Sequence, residues 1–214
     1  MAEEDRLKSW ETLFRYALRA IDSVGEPVFS PANWSFGGGT VLMRRFRHRI
    51  SQDIDIFVSD PQYLGHLNPE LNDAVEVLAP KHLRESNSLR LYFPEGEVDF
   101  IAAAPVTDNP RVFERVLDRE VQVDTSIEII AKKIRYRGVE FTARDIFDFA
   151  MFAEKQPKEI ARIKPLLRKQ RDVILGRLAS SDKILRKTFA ELDVLDYRRS
   201  FDECLDLVKK ALKG

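Results

Sequence analysis

The sequence has a single cysteine, Cys204, so an intrachain disulfide framework and a zinc site built from cysteines are both excluded. Net charge is also absent, because 35 Lys and Arg residues balance 35 Asp and Glu residues. The chain as a whole therefore has no charge excess that would attract nucleic acid or a membrane surface. No apolar run reaches the roughly 20 residues that a membrane span needs. We expect a cytoplasmic protein with no membrane contact.

What the chain does have is an apolar content of 44 %, which is enough for a substantial core. The spacing of apolar and turn residues in the first part predicts alternating helices and strands. The predicted helices there are 5–23, 40–46 and 68–77, and the predicted strands are 34–36, 53–58, 88–93, 97–102 and one within 112–123. After residue 125 the apolar period is helical, with helices starting near 125 and 141 and about three more following. The pattern predicts an α+β part followed by a helical C-terminal part.

Two aspartates alternate with isoleucines in one of the predicted strands. Asp53 and Asp55 are two residues apart, so both side chains leave the same face of the strand. A metal-binding role competes here with an ordinary exposed strand edge. Rigid carboxylates suit Mg²⁺, and two cations about 4 Å apart would need one more acid. Asp99, in a later strand, is the leading candidate for that acid, and Glu97 is the competing one.

Three consecutive glycines, Gly37, Gly38 and Gly39, precede the helix predicted to start at residue 40. Glycine lets backbone N–H groups approach an anion, and a helix N-terminus favours negative charge, so this turn is a candidate triphosphate site. A tight connection between strand and helix is the competing interpretation. The sequence has neither a Walker P-loop nor a dinucleotide-binding fingerprint. Arg49 and Ser51 stand just before the acidic strand, where a guanidinium and a hydroxyl could bond phosphate oxygens.

The order of these motifs resembles the nucleotidyltransferase superfamily related to DNA polymerase β, and more specifically the AbiEii/AbiGii group of nucleotidyltransferase toxins. Four segments within residues 36–149 carry the likeness. They are GGT at 38–40, HRISQDIDIF from His48, VDFI from Val98 and EIIAKKIRYRGVEFTARDIFDF from Glu128.

The resemblance implies a nucleotidyltransferase core, with a mixed sheet flanked by helices, in residues 1–120. It implies that residues 121–214 form a helical domain that completes the active site. The implied enzyme depends on Mg²⁺, or on Mn²⁺, and moves a nucleoside monophosphate from an NTP to a hydroxyl. The implied acceptor is RNA, such as a tRNA 3′ end, or a protein, and the implied partner is a cognate antitoxin. The alternatives are a small-molecule acceptor such as an antibiotic or a sugar, a silent module that binds nucleotide or protein, and a helical adaptor.

Residue by residue, the resemblance assigns metal binding to three acids, namely Asp53, Asp55 and Asp99. It gives Asp99 a part in deprotonating the acceptor and makes Lys133 catalytic as well. Nucleotide binding is assigned to Gly38, Gly39, Thr40, Arg49, Ser51, Lys133 and Asp148. Asp148 would orient Lys133 or act as a base, and Asp145 is the alternative to it. The triplet of glycines leaves open whether Gly37 replaces Gly39.

Overall fold

A computed structural model describes residues 3–213 of the chain, with side chains from residue 5. The strands are β1 (Trp34–Gly37), β2 (Ile54–Val58), β3 (His82–Arg84), β4 (Ser88–Phe93), β5 (Gly96–Ala102), β6 (Arg111–Val116) and β7 (Arg119–Asp124). The helices are α1 (Glu3–Lys8), α2 (Trp10–Val24), α3 (Gly38–Phe46), α4 (Tyr63–His66), α5 (Asp73–Leu78), α6 (Ser126–Arg137), α7 (Ala143–Lys155), α8 (Pro157–Arg162), α9 (Lys164–Ser180), α10 (Asp182–Ala190) and α11 (Phe201–Lys213). A short 3-10 helix, Gly138–Glu140, joins α6 to α7. None of the described helices is both long and apolar enough to cross a membrane.

The seven strands form one mixed sheet in the order β3-β4-β5-β2-β1-β7-β6. Strand β2 is parallel to β5 and β1 is parallel to β7, whereas the other neighbours are antiparallel. Helix α2 covers the apolar face, where the rings of Trp10 and Phe14 lie 6.0 and 4.8 Å from the ring of Phe36. Because side chains alternate along a strand, the opposite face is left for polar residues. The prediction of a mixed sheet flanked by helices is confirmed.

The chain divides into two compact units, each built from separate segments. Unit 1 contains the chain up to Val41, together with Ser51–Ala104 and Arg111–Thr125, and therefore holds the whole sheet. Unit 2 contains Leu42–Ile50, Pro105–Pro110 and the chain from Ser126. Helices α6 to α11 all belong to unit 2, and α3 begins in unit 1 and ends in unit 2.

Helix α7 forms the centre of unit 2, and its start is fixed by its own sequence. Thr142 is the N-cap residue, and its hydroxyl oxygen accepts from the Asp145 N–H while the Asp145 carboxylate accepts from the Thr142 N–H. This reciprocal capping box satisfies two backbone donors at the helix start. Phe147 then packs edge-on against Phe189 and Tyr197. The cap and the aromatic contacts fix both the start and the rotation of α7, and so the direction of its acidic side chains.

Several element boundaries differ from the sequence-based prediction. The predicted helix over 5–23 is interrupted at Ser9, which separates α1 from α2. The predicted helix over 68–77 begins only at Asp73, because the Asn72 side chain accepts from the N–H groups of the first turn and caps it there. The single strand expected within 112–123 is a hairpin, β6 and β7, whose turn contains Leu117 at φ 56°. Strand β3 and helix α4 were not predicted.

Candidate active site

The polar face of the sheet in unit 1 carries a row of charged residues on neighbouring strands. Arg90 of β4 is in register with Asp99 of β5, and Asp99 is in register with Asp55 of β2. Asp55 in turn is in register with Gly37 of β1. Residues in register on adjacent strands point to the same face of a sheet. The sheet therefore places the carboxylates of Asp55 and Asp99 side by side.

The row continues beyond Gly37 with two residues that the sequence analysis did not predict as site residues. Asp124 ends β7 beside Gly37, and it is in register with Arg111 of β6. Asp124 is fully buried, accepts a hydrogen bond of 2.7 Å from the Ser35 hydroxyl, and lies 3.8 Å from Arg111 Nε. The only sequence signal was an acid at the end of the otherwise alternating strand REVQVD. We call the six residues the charged row: Arg90, Asp99, Asp55, Gly37, Asp124 and Arg111.

The glycines are needed because carboxylates occupy the space that side chains would fill. Gly38 has φ +73°, a conformation that favours glycine, and a Cβ there would overlap the Asp55 carboxylate. A Cβ on Gly37 would lie 2.6 Å from the Phe57 ring and 2.9 Å from Asp124 Oδ2. Gly37 and Gly38 thus allow the backbone to pass between the two acids, and Gly39 is the second residue of α3. Which pair of glycines would contact phosphate stays a prediction.

Thr40 and Ser51 hold the segment that carries Asp53. The buried Thr40 hydroxyl donates to the Asp53 carbonyl oxygen at 2.6 Å, and its oxygen lies 3.2 Å from Ser51 Oγ. Thr40 was expected near the cap of α3, but the helix begins at Gly38, which places Thr40 in its first turn. These contacts position Asp53, which precedes β2. The predicted phosphate contacts of Thr40 and Ser51 stay predictions.

The third predicted metal ligand has a different partner. The Arg90 guanidinium donates to both oxygens of Asp99, at 2.7 and 3.0 Å, and also lies 3.2 Å from Glu97 Oε2. Burial raises the pKa of Asp99 above its usual value; Arg90 opposes this effect, whereas Glu97 and Asp53 add to it. Glu97 lies close to Asp53, since its N–H donates to Asp53 Oδ1 at 3.4 Å.

The acids fit a divalent cation in part. Asp53 and Asp55 are half-buried carboxylates that form an acidic surface with Asp99 and Glu97, and Arg90 contacts the last two of these acids. This donor chemistry suits a hard cation at Asp53 and Asp55. Across residues 3–213, however, no group of three or more His, Cys, Asp or Glu side chains is arranged to hold a metal ion.

In unit 2, a second group of predicted site residues is buried around Lys133. Its Nζ lies 2.6 Å from Asp145 Oδ1 and 3.1 Å from Asp148 Oδ2. Arg49 donates from Nε and Nη2 to the two oxygens of Asp148, at 2.7 and 2.8 Å, and His48 Nε2 lies 2.8 Å from Asp148 Oδ1. The two aspartates are three residues apart and so share one face of α7. We call His48, Arg49, Lys133, Asp145 and Asp148 the lysine cluster.

The pKa shifts in the lysine cluster show how its charges are held. Burial by itself would raise the pKa of Asp148, but Arg49, Lys133 and His48 outweigh it and hold that pKa well below the usual value. Lys133 and Arg137 likewise outweigh burial and lower the pKa of Asp145. Burial lowers the pKa of His48 even though Asp148 opposes this, so the ring is neutral and donates its Nε2–H to Asp148. Both aspartates are therefore fixed anions rather than groups that readily take up a proton.

Comparison with known proteins decides the family. The model of the family "Nucleotidyl transferase AbiEii toxin, Type IV TA system" matches residues 25–212. The chain belongs to this family. Membership in AbiEii makes it a nucleotidyltransferase, as the resemblance implied. No curated protein sequence matches this AbiEii chain.

Solved structures share the fold of this AbiEii chain at low sequence identity. MenT4, a nucleotidyltransferase toxin from Mycobacterium tuberculosis H37Rv, is 17 % identical with a TM-score of 0.57, over 99 % of this chain and 84 % of that one. A putative nucleotidyltransferase from H. pylori is 14 % identical with a TM-score of 0.51, over 100 % and 95 %. The antibiotic-resistance factor ANT(2'')-Ia is 16 % identical with a TM-score of 0.51, over 80 % and 94 %. At these identities the similarity shows the fold alone.

Proposed function

We propose that this nucleotidyltransferase moves a nucleoside monophosphate from an NTP to a hydroxyl of RNA, and that Asp53 and Asp55 hold a divalent cation, Mg²⁺ or Mn²⁺. The observation that carries the proposal is the acidic surface beside the glycine turn, where Asp55 is in register with Asp99, Asp53 adds negative charge near Asp99, and Arg90 pairs with Asp99 and Glu97. A cation bound there would neutralise charge on the donor phosphates. Such a site catalyses mainly by position and charge, without a covalent nucleophile.

The chain's own residues have separate parts in this proposal. A helix N-terminus favours an anion, and the first turn of α3 contains no acidic residue of its own, although the Asp55 carboxylate lies against Gly38. Thr40 fixes the backbone of Asp53. In unit 2, Asp145 and Asp148 hold the Lys133 ammonium in one place while its side chain keeps 12 % exposure, which supports its predicted contact with nucleotide phosphates. The same contacts favour an orienting role for Asp148 over that of a base.

The distribution of charge between the units supports RNA as the acceptor. The segments of unit 1 carry 20 acidic and 10 basic residues, a formal charge of −10, whereas those of unit 2 carry 25 basic and 15 acidic residues, a formal charge of +10. A polyanion is attracted by such a basic unit, and the attraction weakens with salt. Helices α8 and α9 expose six of the cations: Lys158, Arg162, Lys164, Arg168, Lys169 and Arg171. A small antibiotic or sugar would need no such surface.

The direct test is incubation of the protein with each α-labelled NTP, Mg²⁺ or Mn²⁺, and either total RNA or protein from a cell lysate. We expect label in RNA from the wild type, and none from the Asp53→Asn/Asp55→Asn variant. Label in protein or in a small molecule would replace RNA as the acceptor. No labelled product with any NTP, from protein that is folded by circular dichroism, would contradict nucleotidyl transfer to these acceptors.

The basic surface can be tested by reversing two of its charges. We expect Arg168→Glu/Lys169→Glu to raise the KM for RNA and to lower the slope of log affinity against log salt by about 2. The KM for NTP should stay unchanged. The matched control is Lys210→Glu/Lys213→Glu, which changes the net charge equally at exposed positions of α11. Equal effects of the two double variants would show a general charge effect and no RNA site on α9.

Toxicity and its relief follow from the family and need a cellular test. Expression of the wild type should arrest growth, and Asp53→Ala should remove the arrest at equal protein level. A cognate antitoxin is the proposed partner, and its co-expression should restore growth. Normal growth with active wild-type protein would contradict the toxin role while leaving the transferase reaction intact.

A further inference from the structure

The strongest unexplained feature of the acidic surface is the pairing of Arg90 with Asp99. The Nε and Nη2 atoms of Arg90 each donate a hydrogen bond to one oxygen of the Asp99 carboxylate, at 2.7 and 3.0 Å. The Asp99 side chain is 14 % exposed and the Arg90 side chain is 39 % exposed, and Glu97 adds a second carboxylate at 3.2 Å from Arg90 Nε. Bidentate charge-assisted pairs are among the strongest hydrogen-bonded contacts in proteins.

This pairing conflicts with a site for two cations. Such a site needs a third carboxylate whose oxygens are available to the second cation. Both oxygens of Asp99 accept from Arg90, and a cation that displaced the guanidinium would stand next to a positive charge that cannot be removed by deprotonation. The lack of a three-acid metal group among residues 3–213 agrees with this.

We propose that Arg90 takes the place of a second cation, so that the site binds one divalent cation, at Asp53 and Asp55, and keeps Asp99 as the anchor of Arg90. The inference rests on the proposed function, because it concerns the same site and assigns its positive charge to one cation and to Arg90. The Arg90 side chain is 39 % exposed, so its guanidinium can contact a bound ligand while it keeps its hydrogen bonds to Asp99. Arginine recognises phosphate by the same planar fork, and Arg90 therefore supplies a fixed positive charge for the donor phosphates. Asp99 is then a positioning residue and has no cation to bind.

The test counts bound Mn²⁺ by the electron paramagnetic resonance signal of the free ion, with and without the non-hydrolysable α,β-methylene analogue of each NTP. We expect one Mn²⁺ per wild-type chain, and loss of that ion in Asp55→Asn. Asp99→Asn should keep the Mn²⁺ affinity within about threefold, because its side chain binds no ion. Arg90→Gln should take up a second Mn²⁺ or bind the first at least tenfold more tightly, since the competing charge is gone.

The matched control is Arg119→Gln, which breaks another bidentate pair, Arg119 with Asp22 at 2.7 and 2.8 Å, at the start of β7. That variant should bind Mn²⁺ like the wild type. Two Mn²⁺ per wild-type chain, or a tenfold loss of Mn²⁺ affinity in Asp99→Asn, would overturn the inference and leave the proposed reaction standing. If folded wild-type protein binds no Mn²⁺ under either condition, the cation site of the proposed function fails, and the inference fails with it.

Discussion

The charged row of unit 1 and the lysine cluster of unit 2 both set aspartates against basic side chains, but their charges balance differently. Around Asp99 the acids are in excess, and burial with neighbouring acids raises its pKa. Around Asp148 the cations match the acids, and they hold its pKa well below the usual value in spite of complete burial. One group of acids has surplus negative charge, which the proposed cation would neutralise, and the other is already neutralised from within.

This difference separates two kinds of aspartate that look equal in the sequence. An acid in a site with surplus negative charge gains from a bound cation and costs stability without one. An acid inside a balanced buried cluster contributes to stability by keeping its partners paired. The D-x-D acids should therefore matter most for activity and the R-D-x-x-D acids most for stability, and variants of each group can test that division.

The largest effect is expected from Asp55→Asn. This change keeps the shape of the side chain and removes a proposed cation ligand, so nucleotidyl transfer should fall by about 10³-fold or more. The midpoint of urea unfolding should stay the same or rise, because one of several repelling charges is lost. The control is Asp118→Asn, at a side chain that is 72 % exposed, which should change neither quantity. A fall in stability by several kcal/mol would show that the two groups of acids do not differ in this way.

The next effect is the cost of Asp148→Ala. Removing this carboxylate leaves Arg49 and Lys133 buried without their shared partner, which should lower the free energy of unfolding by about 3–5 kcal/mol. Urea titration followed by circular dichroism measures it. Asp172→Ala removes the partner of Arg171 from an 86 % exposed position and should cost less than about 1 kcal/mol. Equal costs would mean that the lysine cluster is no more important for stability than a surface ion pair.

A smaller effect is expected at the glycine turn. Gly38→Ala puts a Cβ into the space of the Asp55 carboxylate and forces a non-glycine residue to φ +73°, at a cost of about 1–2 kcal/mol in stability. Transfer activity should fall as well, since Asp55 must move. Gly176→Ala is the control, because that helical glycine has open space around its missing Cβ and should gain about 1 kcal/mol. Full activity in Gly38→Ala would show that the position of Asp55 is not critical.

The sequence predicted the parts of this site that depend on local pattern. Period-two alternation located β2, β4 and β5, and it placed Asp55 and Asp99 on strands. It did not find Arg90 or Asp124, because a cross-strand neighbour is set by the register between distant segments. Arg49 shows the same limit, since its nearest acids in sequence are those of the D-x-D motif, whereas it pairs with Asp148, 99 residues away.

Charge was the other property for which the total misled. The totals of acidic and basic residues are equal, but residues 126–214 alone carry 21 basic and 14 acidic residues, so part of the polarity can be read along the chain. The folded arrangement adds to it, because residues 42–50 bring four arginines to unit 2. The division into units therefore raises a contiguous excess of +7 to the +10 of unit 2.

The effect that depends on conditions, and the most direct test of the balanced cluster, is the pH dependence that His48 adds. Its folded pKa lies below the ordinary 6.5, so between these values the unfolded chain binds a proton that the folded chain does not. Stability must therefore fall as pH decreases below about 6.5, with a slope of up to about 1.4 kcal/mol per pH unit.

His48→Gln should lose this slope between pH 5 and 7 in urea titrations, whereas His66→Gln should keep it. The lowered pKa values of Asp145 and Asp148 act in a separate window, below about pH 4, because their stabilisation is lost only as pH falls from the unfolded value toward the folded one. An unchanged slope in His48→Gln would mean that His48 is charged in the fold, and that the cluster holds one more cation than its two acids neutralise.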